Sequence, residues 1–487
     1  MSLKRLSINS AFMTSVSMVR ILAQFMIVPI LTRFLSPEDY GVVALAMPFV
    51  LLSGIIARAG MGESLLKDGE RVDGVWYTSF WLIMMMGTGL MLLVMGLAPL
   101  MAYFFETPQL SIILIGLAPA IFFQALSIVP TTYMRFDNRY PAVSSIQIAG
   151  TILGMGSAVI VALLGGGAWA LVAQMLVMTS VIALSAIVMA GFRPRLTFNL
   201  KIITDHLTFG RDVAGSTFIE FVKDASKSMI IGKILGSALL GFYTIAFLFL
   251  NLAYRVIVSV MQSVIYAQLV VHKANKELLQ NMLIFLTRAL ALIIIPLMAM
   301  IAISHEAFFA WFLSDEWVLS GQLFMIAAPA LALQTVLSVR IAFMLILGRA
   351  DINLRCNIEL LVLETIAVLA TVWFGLNWIM VGLLAVILLY QFRNIHLLTT
   401  HLDLSLTRYL KTLIAPIFMS GIGMVLYSLA ADQWSNLNNF TLVAIAFVIG
   451  VAVVGTAAGM QFKTLKTEVR MLKTLMAEKK LTDEQTA

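Results

Sequence analysis

Phe209 to Phe247 reads FGRDVAGSTFIEFVKDASKSMIIGKILGSALLGFYTIAF, and the fold turns on whether its first half crosses a membrane. Glu220, Lys223, Asp224 and Lys227 recur there at spacings of three and four, so they share a face of a helix otherwise fit for lipid. Hydropathy alone slides the span forward to 228–250 and leaves the charged half as a surface helix. An internal echo decides against that. RFLSPEDYGVVALA, Arg33 to Ala46, laid on KILGSALLGFYTIA pairs Arg33 with Lys233, Leu35 with Leu235, Gly41 with Gly241 and Ala46 with Ala246. Ser-Pro-Glu-Asp in the first copy reads as a loop. Residues 236–239 are therefore expected to form a turn between two spans, and the charged segment before them a transmembrane helix.

Composition agrees. With 61% hydrophobic and 12% charged residues among 487, and a mean hydropathy of +0.98, the chain lies far outside soluble composition. Its apolar runs repeatedly exceed the roughly 20 residues a bilayer core requires. The single Cys356 excludes an internal disulfide framework, and the five His residues never gather at ligand spacing, so neither a metal nor another cofactor is expected. No nucleic-acid partner is expected either. The start, MSLKRLSINSAFMTSVS, runs into a long apolar segment without a small-residue cleavage site and reads as a retained first helix.

The expected fold is an all-α polytopic membrane protein of about fourteen spans: 10–35, 41–64, 76–102, 109–134, 142–164, 168–191, 209–232, 238–266, 281–303, 320–347, 356–374, 376–396, 412–430 and 440–462. Lys67, Arg71, Arg135, Arg139, Arg193, Arg195, Lys201, Lys273, Lys276, Arg349, Arg355, Arg393, Arg408 and Lys411 fall in alternate connections, on the side both termini share. By the positive-inside rule that side is the cytoplasm. Trp76, Trp169, Trp311, Trp317, Trp373 and Trp434 lie near span ends and are expected at the headgroups.

A second echo, APAIFFQ at Ala118–Gln124 against APALALQ at Ala328–Gln334, is offset by 210 residues where the first is offset by 200. Six spans separate the copies, an even number that preserves direction. The spacing predicts two six-helix lobes, 1–200 and 201–400, as parallel repeats, then two helices in 401–465 and a basic amphipathic tail over 466–487. Pro119 and Pro329 are expected to bend helices.

Such symmetry builds a central site between lobes in many transporters. Within the expected spans lie Arg20, Arg58, Lys223, Lys227, Arg255, Arg288 and Arg340 against Glu220, Asp224, Glu359 and Glu364, seven cations to four acids. Each charge costs about 2.5–3.5 kcal/mol at mid-membrane, so each should face water, a partner or a substrate. The cations would hold an anionic ligand, and Glu220, Asp224 and Glu364 are candidates for ion or proton coupling. The alternatives are mutual neutralisation within the 220–227 face and snorkelling of Arg58, Arg288 and Arg340 to headgroups. No GxxxxGK[ST] loop is present, and the longest outward loop, 304–319, holds only Glu306, Asp315 and Glu316 as acids. ATP hydrolysis by P-loop chemistry is excluded, and an enzyme is not expected.

LTRFLSPEDYGVVAL, the ETPQL turn at Glu106–Leu110, MRFDNRYPA at Met134–Ala142, GGGAWALV at Gly165–Val172, IIGKILGSALLGFYTIA and LILGRADI at Leu345–Ile352 run in one order along the chain. Together they resemble the polysaccharide-transport branch, with its Wzx-type flippases, of the multidrug/oligosaccharidyl-lipid/polysaccharide exporter superfamily. The resemblance implies fourteen helices in two lobes and alternating-access flipping of an undecaprenyl-diphosphate-linked oligosaccharide across a bacterial inner membrane, for exopolysaccharide or O-antigen synthesis. It also implies polysaccharide polymerase and glycosyltransferase partners. The runner-up readings are a multidrug or cation antiporter of that superfamily, which calls for an acidic cavity, and a scaffold of a synthesis complex. Members of the branch often carry an acidic-basic pair about five residues before the Ile-Gly of IIGKILG. Here Lys227 and Ser228 stand there, so that coupling role is not carried over, and Asp224 one turn earlier is the available substitute.

The loop charges predict the orientation. In a Cys356→Ser background, an impermeant thiol reagent added to intact cells should label Ser36→Cys and Asn436→Cys but spare Lys67→Cys and Arg195→Cys; labelling of Arg195→Cys reverses the assignment.

Overall fold

The computed structural model describes residues 23, 25–58, 60–67, 71–261, 265–433, 437–468 and 470, and among them there are helices and no strand. Thirteen long helices follow one another: α1 Pro37–Arg58, α2 Asp73–Phe104, α3 Gln109–Phe136, α4 Tyr140–Leu163, α5 Trp169–Ala190, α6 Thr204–Leu235, α7 Ser237–Val260, α8 Lys276–Ile303, α9 Asp315–Ile346, α10 Ala350–Phe374, α11 Leu376–His401, α12 Leu406–Gln433 and α13 Asn439–Met460. All but α6 are long and apolar enough to cross a membrane, which makes twelve candidate spans among the described residues. The protein is an all-α polytopic membrane protein. Of the two further spans expected from sequence, 10–35 lies mostly outside the described residues. The other is α6, a continuous 32-residue helix that its charges set apart.

The charged stretch therefore belongs to one helix with the apolar residues after it. The turn is narrower than 236–239: Gly236 alone, at φ +86, closes α6, and α7 begins at Ser237. Only glycine adopts that conformation without strain.

The chain divides into two compact units, residues 1–244 with 357–376, and 245–356 with 377–487. In the first unit α1 starts at Pro37, whose missing N–H costs nothing at the head of a helix. Ser36 and Asp39 close it reciprocally: Ser36 Oγ accepts from the Asp39 N–H at 3.2 Å, and Asp39 Oδ2 accepts from the Ser36 N–H at 2.9 Å. The second Asp39 oxygen accepts from the Ala168 N–H at 2.9 Å, beside Gly167 at φ +52, so SPEDYG and GGGAW form one clamp. Gly150 and Gly154 let α4 approach α5 closely; a Cβ at Gly154 would lie 2.8 Å from the Gln174 carbonyl oxygen. Trp76, 1% exposed, stacks edge-on against Tyr133 and Phe136 at 5.5 and 5.7 Å. Trp76 and, in the second unit, Trp317 are core residues, whereas Trp169, Trp311 and Trp373 keep the exposure expected at an interface. In the second unit Met300 of α8 packs against Gly423 of α12 and Gly450 of α13. Pro119 opens the second segment of α3, while Pro329 sits inside a helix unbroken from Val318 to Leu337.

Local geometry recurs along the chain at the sequence offset. The Arg139 N–H bonds the Met134 carbonyl at 2.8 Å around Asn138 (φ +58), and 210 residues later Arg349 bonds Met344 at 2.8 Å around Gly348 (φ +73). Gly165 (φ +76) follows α4 and Gly375 (φ +98) follows α10, again 210 residues apart. The first echo meets in space as well, since a Cβ on Gly41 would fall 1.7 Å from the Ser237 carbonyl oxygen and one on Gly241 1.8 Å from that of Pro37. Pro37 and Ser237 are themselves equivalent positions, so the contact is reciprocal.

Because backbone meets backbone there, an added methyl cannot be absorbed by a side-chain shift. Gly41→Ala and Gly241→Ala should each destabilise the protein by about 1–3 kcal/mol, measured as thermal unfolding in detergent. Gly89→Ala, where a Cβ meets nothing within 4 Å, should not.

Candidate functional site

Lys227 lies on α6 eight residues before Leu235, about 12 Å from the helix end. Its ammonium is 2.6 Å from Glu364 Oε2 on α10 and 3.4 Å from Asp224 Oδ1 one turn earlier on α6. The Lys227 and Glu364 side chains are 9% and 4% exposed and Asp224 is 68% exposed, so a buried ion pair has one carboxylate at its open edge. Ser226 and Thr365 bring their hydroxyls to 3.4 Å alongside. Two carboxylates on one ammonium leave the cluster a net negative charge when all are ionised. Asp224 is the carboxylate of the cluster left accessible.

The other expected site residues are placed variously. Arg20 lies outside the described residues. Lys223 is half-buried, and Glu220, Arg58 and Arg255 are exposed. Arg288, on α8, donates to Gln461 Oε1 at 2.9 Å and pairs with Glu468 at 3.1 Å. Burial raises the Glu468 carboxyl above its ordinary range despite the Arg288 charge beside it. Arg340, 6% exposed, donates to Asn353 Oδ1 at 2.7 Å, and Asn353 in turn donates to the Ile341 carbonyl. Lys227, Arg288 and Arg340 thus engage protein partners. Sequence reasoning put Lys227 and Glu364 in separate roles, and the structure puts them in one pair. It also missed Glu468 and Asn353, although Glu468 carries a signal as the one acid among Lys463, Lys466 and Arg470.

Near the C-terminal end of α6, Lys233 donates to Glu106 Oε1 at 2.7 Å and to the Phe104 carbonyl at 2.6 Å. That hydrogen bond and the lysine charge hold the Glu106 carboxyl below its ordinary range. The ETPQL turn is in this way tied to the helix that carries Lys227. Among the described residues no three His, Cys, Asp or Glu side chains gather to hold a metal ion.

The sequence model of the polysaccharide biosynthesis protein family matches residues 30–322, more than half of the chain. The chain belongs to that family. Its relatives include the succinoglycan biosynthesis transport protein ExoT of Rhizobium meliloti (strain 1021), 28% identical over 281 residues, 56% of this chain and 56% of ExoT. This match spans little more than half of that relative's length. The teichuronic acid biosynthesis protein TuaB of Bacillus subtilis (strain 168) is 21% identical over 388 residues, 78% of this chain and 80% of TuaB. Among solved structures, the lipid II flippase MurJ in an inward closed conformation superposes with a TM-score of 0.73 at 12% identity, covering 94% of this chain and 99% of MurJ. An inward-facing multidrug resistance MATE transporter of the MOP superfamily superposes at 0.57 and 16% identity, covering 88% and 99%. At those identities the likeness is one of fold, and the family member has the MOP fold that the sequence resemblance implied.

Breaking a buried pair is costlier than replacing it, because an unpaired charge is left in a low-dielectric interior. Lys227→Met and Glu364→Leu should each cost about 3–5 kcal/mol, read as detergent thermal stability. The double variant should recover most of that loss; a double variant as unstable as the two losses summed overturns the pairing.

Proposed function

We propose that the protein flips an undecaprenyl-diphosphate-linked, anionic oligosaccharide from the inner to the outer leaflet of a bacterial inner membrane, for exopolysaccharide or O-antigen synthesis. It works by alternating access between two six-helix lobes, residues 1–200 and 201–400, with both termini cytoplasmic and a polysaccharide polymerase and glycosyltransferases as partners. The observation that carries this reading is the family match over residues 30–322. Relatives named for succinoglycan transport and teichuronic acid synthesis, and a fold shared with a lipid II flippase, support it.

Charge supports an anionic cargo. The most deeply buried acid among the candidates, Glu364, is 3% exposed and already paired with Lys227. With Glu364 neutralised in this way, the cluster offers a cationic drug only Asp224 at its edge. Arg20, Arg58, Lys223 and Arg255 would bind phosphates and acidic sugars, while Lys227, Arg288 and Arg340 hold the helices that present them. Asp224 and Glu220 remain the candidates for proton or ion coupling, with Glu364 behind them.

A charged hydrogen bond is worth about 1.5–3 kcal/mol, so loss of one phosphate contact should weaken binding roughly ten- to hundredfold. Export of lipid-linked sugar, measured in cells at matched protein levels, should fall for Arg20→Ala and Arg255→Ala. It should fall nearly as far for Arg→Lys if the contact is bidentate. Full export by both alanine variants removes the binding assignment.

A further inference from the structure

Between α5 and α6 the chain reads GFRPRLTFNLKII, Gly191 to Ile203. It is held at both ends. Phe192, 6% exposed, packs into the cluster of Trp76, Phe80 and Tyr133, and Ile203 is fully buried in the same cluster. Its middle is held too: the Trp81 indole N–H donates to the Arg195 carbonyl at 2.9 Å, and the Asn199 N–H donates to Thr78 Oγ1 at 3.3 Å. Trp81 and Thr78 lie in the first turns of α2, so the segment runs along the membrane boundary where α2 enters and α5 leaves.

An anchored strip of this kind has few reasons to expose apolar groups, yet Leu196 is 87% exposed, Phe198 and Leu200 47% and Ile202 42%. These four alternate along the chain; Arg193 and Arg195 precede them and Lys201 falls between the last two, all three exposed. Apolar groups next to cations, at the depth where spans end, match the two layers of an anionic leaflet: acyl-chain ends for the former, headgroup phosphates for the latter.

We infer that residues 193–202 form an interfacial anchor that seats Leu196 and Phe198 below the headgroups and binds anionic phospholipid through Arg193, Arg195 and Lys201. Each basic residue near an anionic surface strengthens binding about fivefold at moderate salt, so the preference for anionic over zwitterionic lipid comes from these three. The anchor fixes the depth of α2 and α6, the two helices it joins to the surface. It does not depend on what the protein transports.

The test places a nitrobenzoxadiazole label at Leu196→Cys, in a Cys356→Ser background, in the full chain reconstituted into vesicles. One set is phosphatidylcholine and the other an equal mixture with phosphatidylglycerol. A label at Ala274→Cys, on an exposed turn, is the reference. At position 196 the emission should be blue-shifted and quenched by doxyl-labelled lipid, more strongly in the phosphatidylglycerol vesicles. Combining Arg193→Gln, Arg195→Gln and Lys201→Gln should abolish the difference between the two compositions, as should high salt. Water-like emission at position 196 with no more quenching than at 274 overturns the proposal and leaves the strip to a protein partner. Quenching that ignores both lipid charge and the triple substitution overturns the anionic-lipid assignment.

Discussion

The Lys227–Glu364 pair is the interaction on which the charged centre of the chain depends. An unpaired ammonium or carboxylate near mid-membrane costs several kcal/mol, enough to push α6 out to the surface, where hydropathy alone would leave it. Facing each other at 2.6 Å, the two groups cancel most of that cost and bind α6 to α10. Residues 357–376 accordingly belong to the compact unit of α1–α6, although they lie far along the chain. A bond of this kind specifies a neighbour more than it adds stability, because desolvation takes back most of the Coulomb gain.

The pair is not part of the repeat that surrounds it. Stepping back by the observed offsets, 200 residues from Lys227 and 210 from Glu364, leads to Ile27 and Gly154. Ile27 is buried at 3% exposure and Gly154 is pressed against Met178 of α5. Apolar and small residues thus stand at both equivalent positions of the first half. Symmetric backbone features, the Gly41–Gly241 crossing and the paired turns at Asn138 and Gly348, thus support an asymmetric distribution of charge. That is how one scaffold can host unrelated cargoes: turns and glycine contacts hold the architecture, and the ionisable residues set the chemistry.

The remaining cations divide by burial. Arg288 and Arg340 are nearly inaccessible and each ends on polar side chains of a neighbouring segment, Gln461 and Glu468 for one and Asn353 for the other. Arg58 and Arg255 are exposed. A guanidinium engaged by neighbouring side chains stiffens the helices around it.

Periodicity and composition were enough to determine the all-α membrane class, nearly every span among the described residues, and the internal offset. Each of these follows from a local rule: apolar length, loop charge, or turn chemistry at Gly236 and around Asn138. The resemblance in the ordered motifs also determined the family. What the sequence did not carry was the pairing of charges. Lys227 and Glu364 are 137 residues apart, Arg288 and Glu468 180, and no spacing rule connects residues whose contact exists only once helices pack. The placement of Trp76 and Trp317 in the core, not at the headgroups, was decided in the same way, by neighbours such as Tyr133 and Phe136 that only folding brings to the ring. Hydropathy measures what one segment prefers in lipid; tertiary packing decides which of its side chains meet lipid at all.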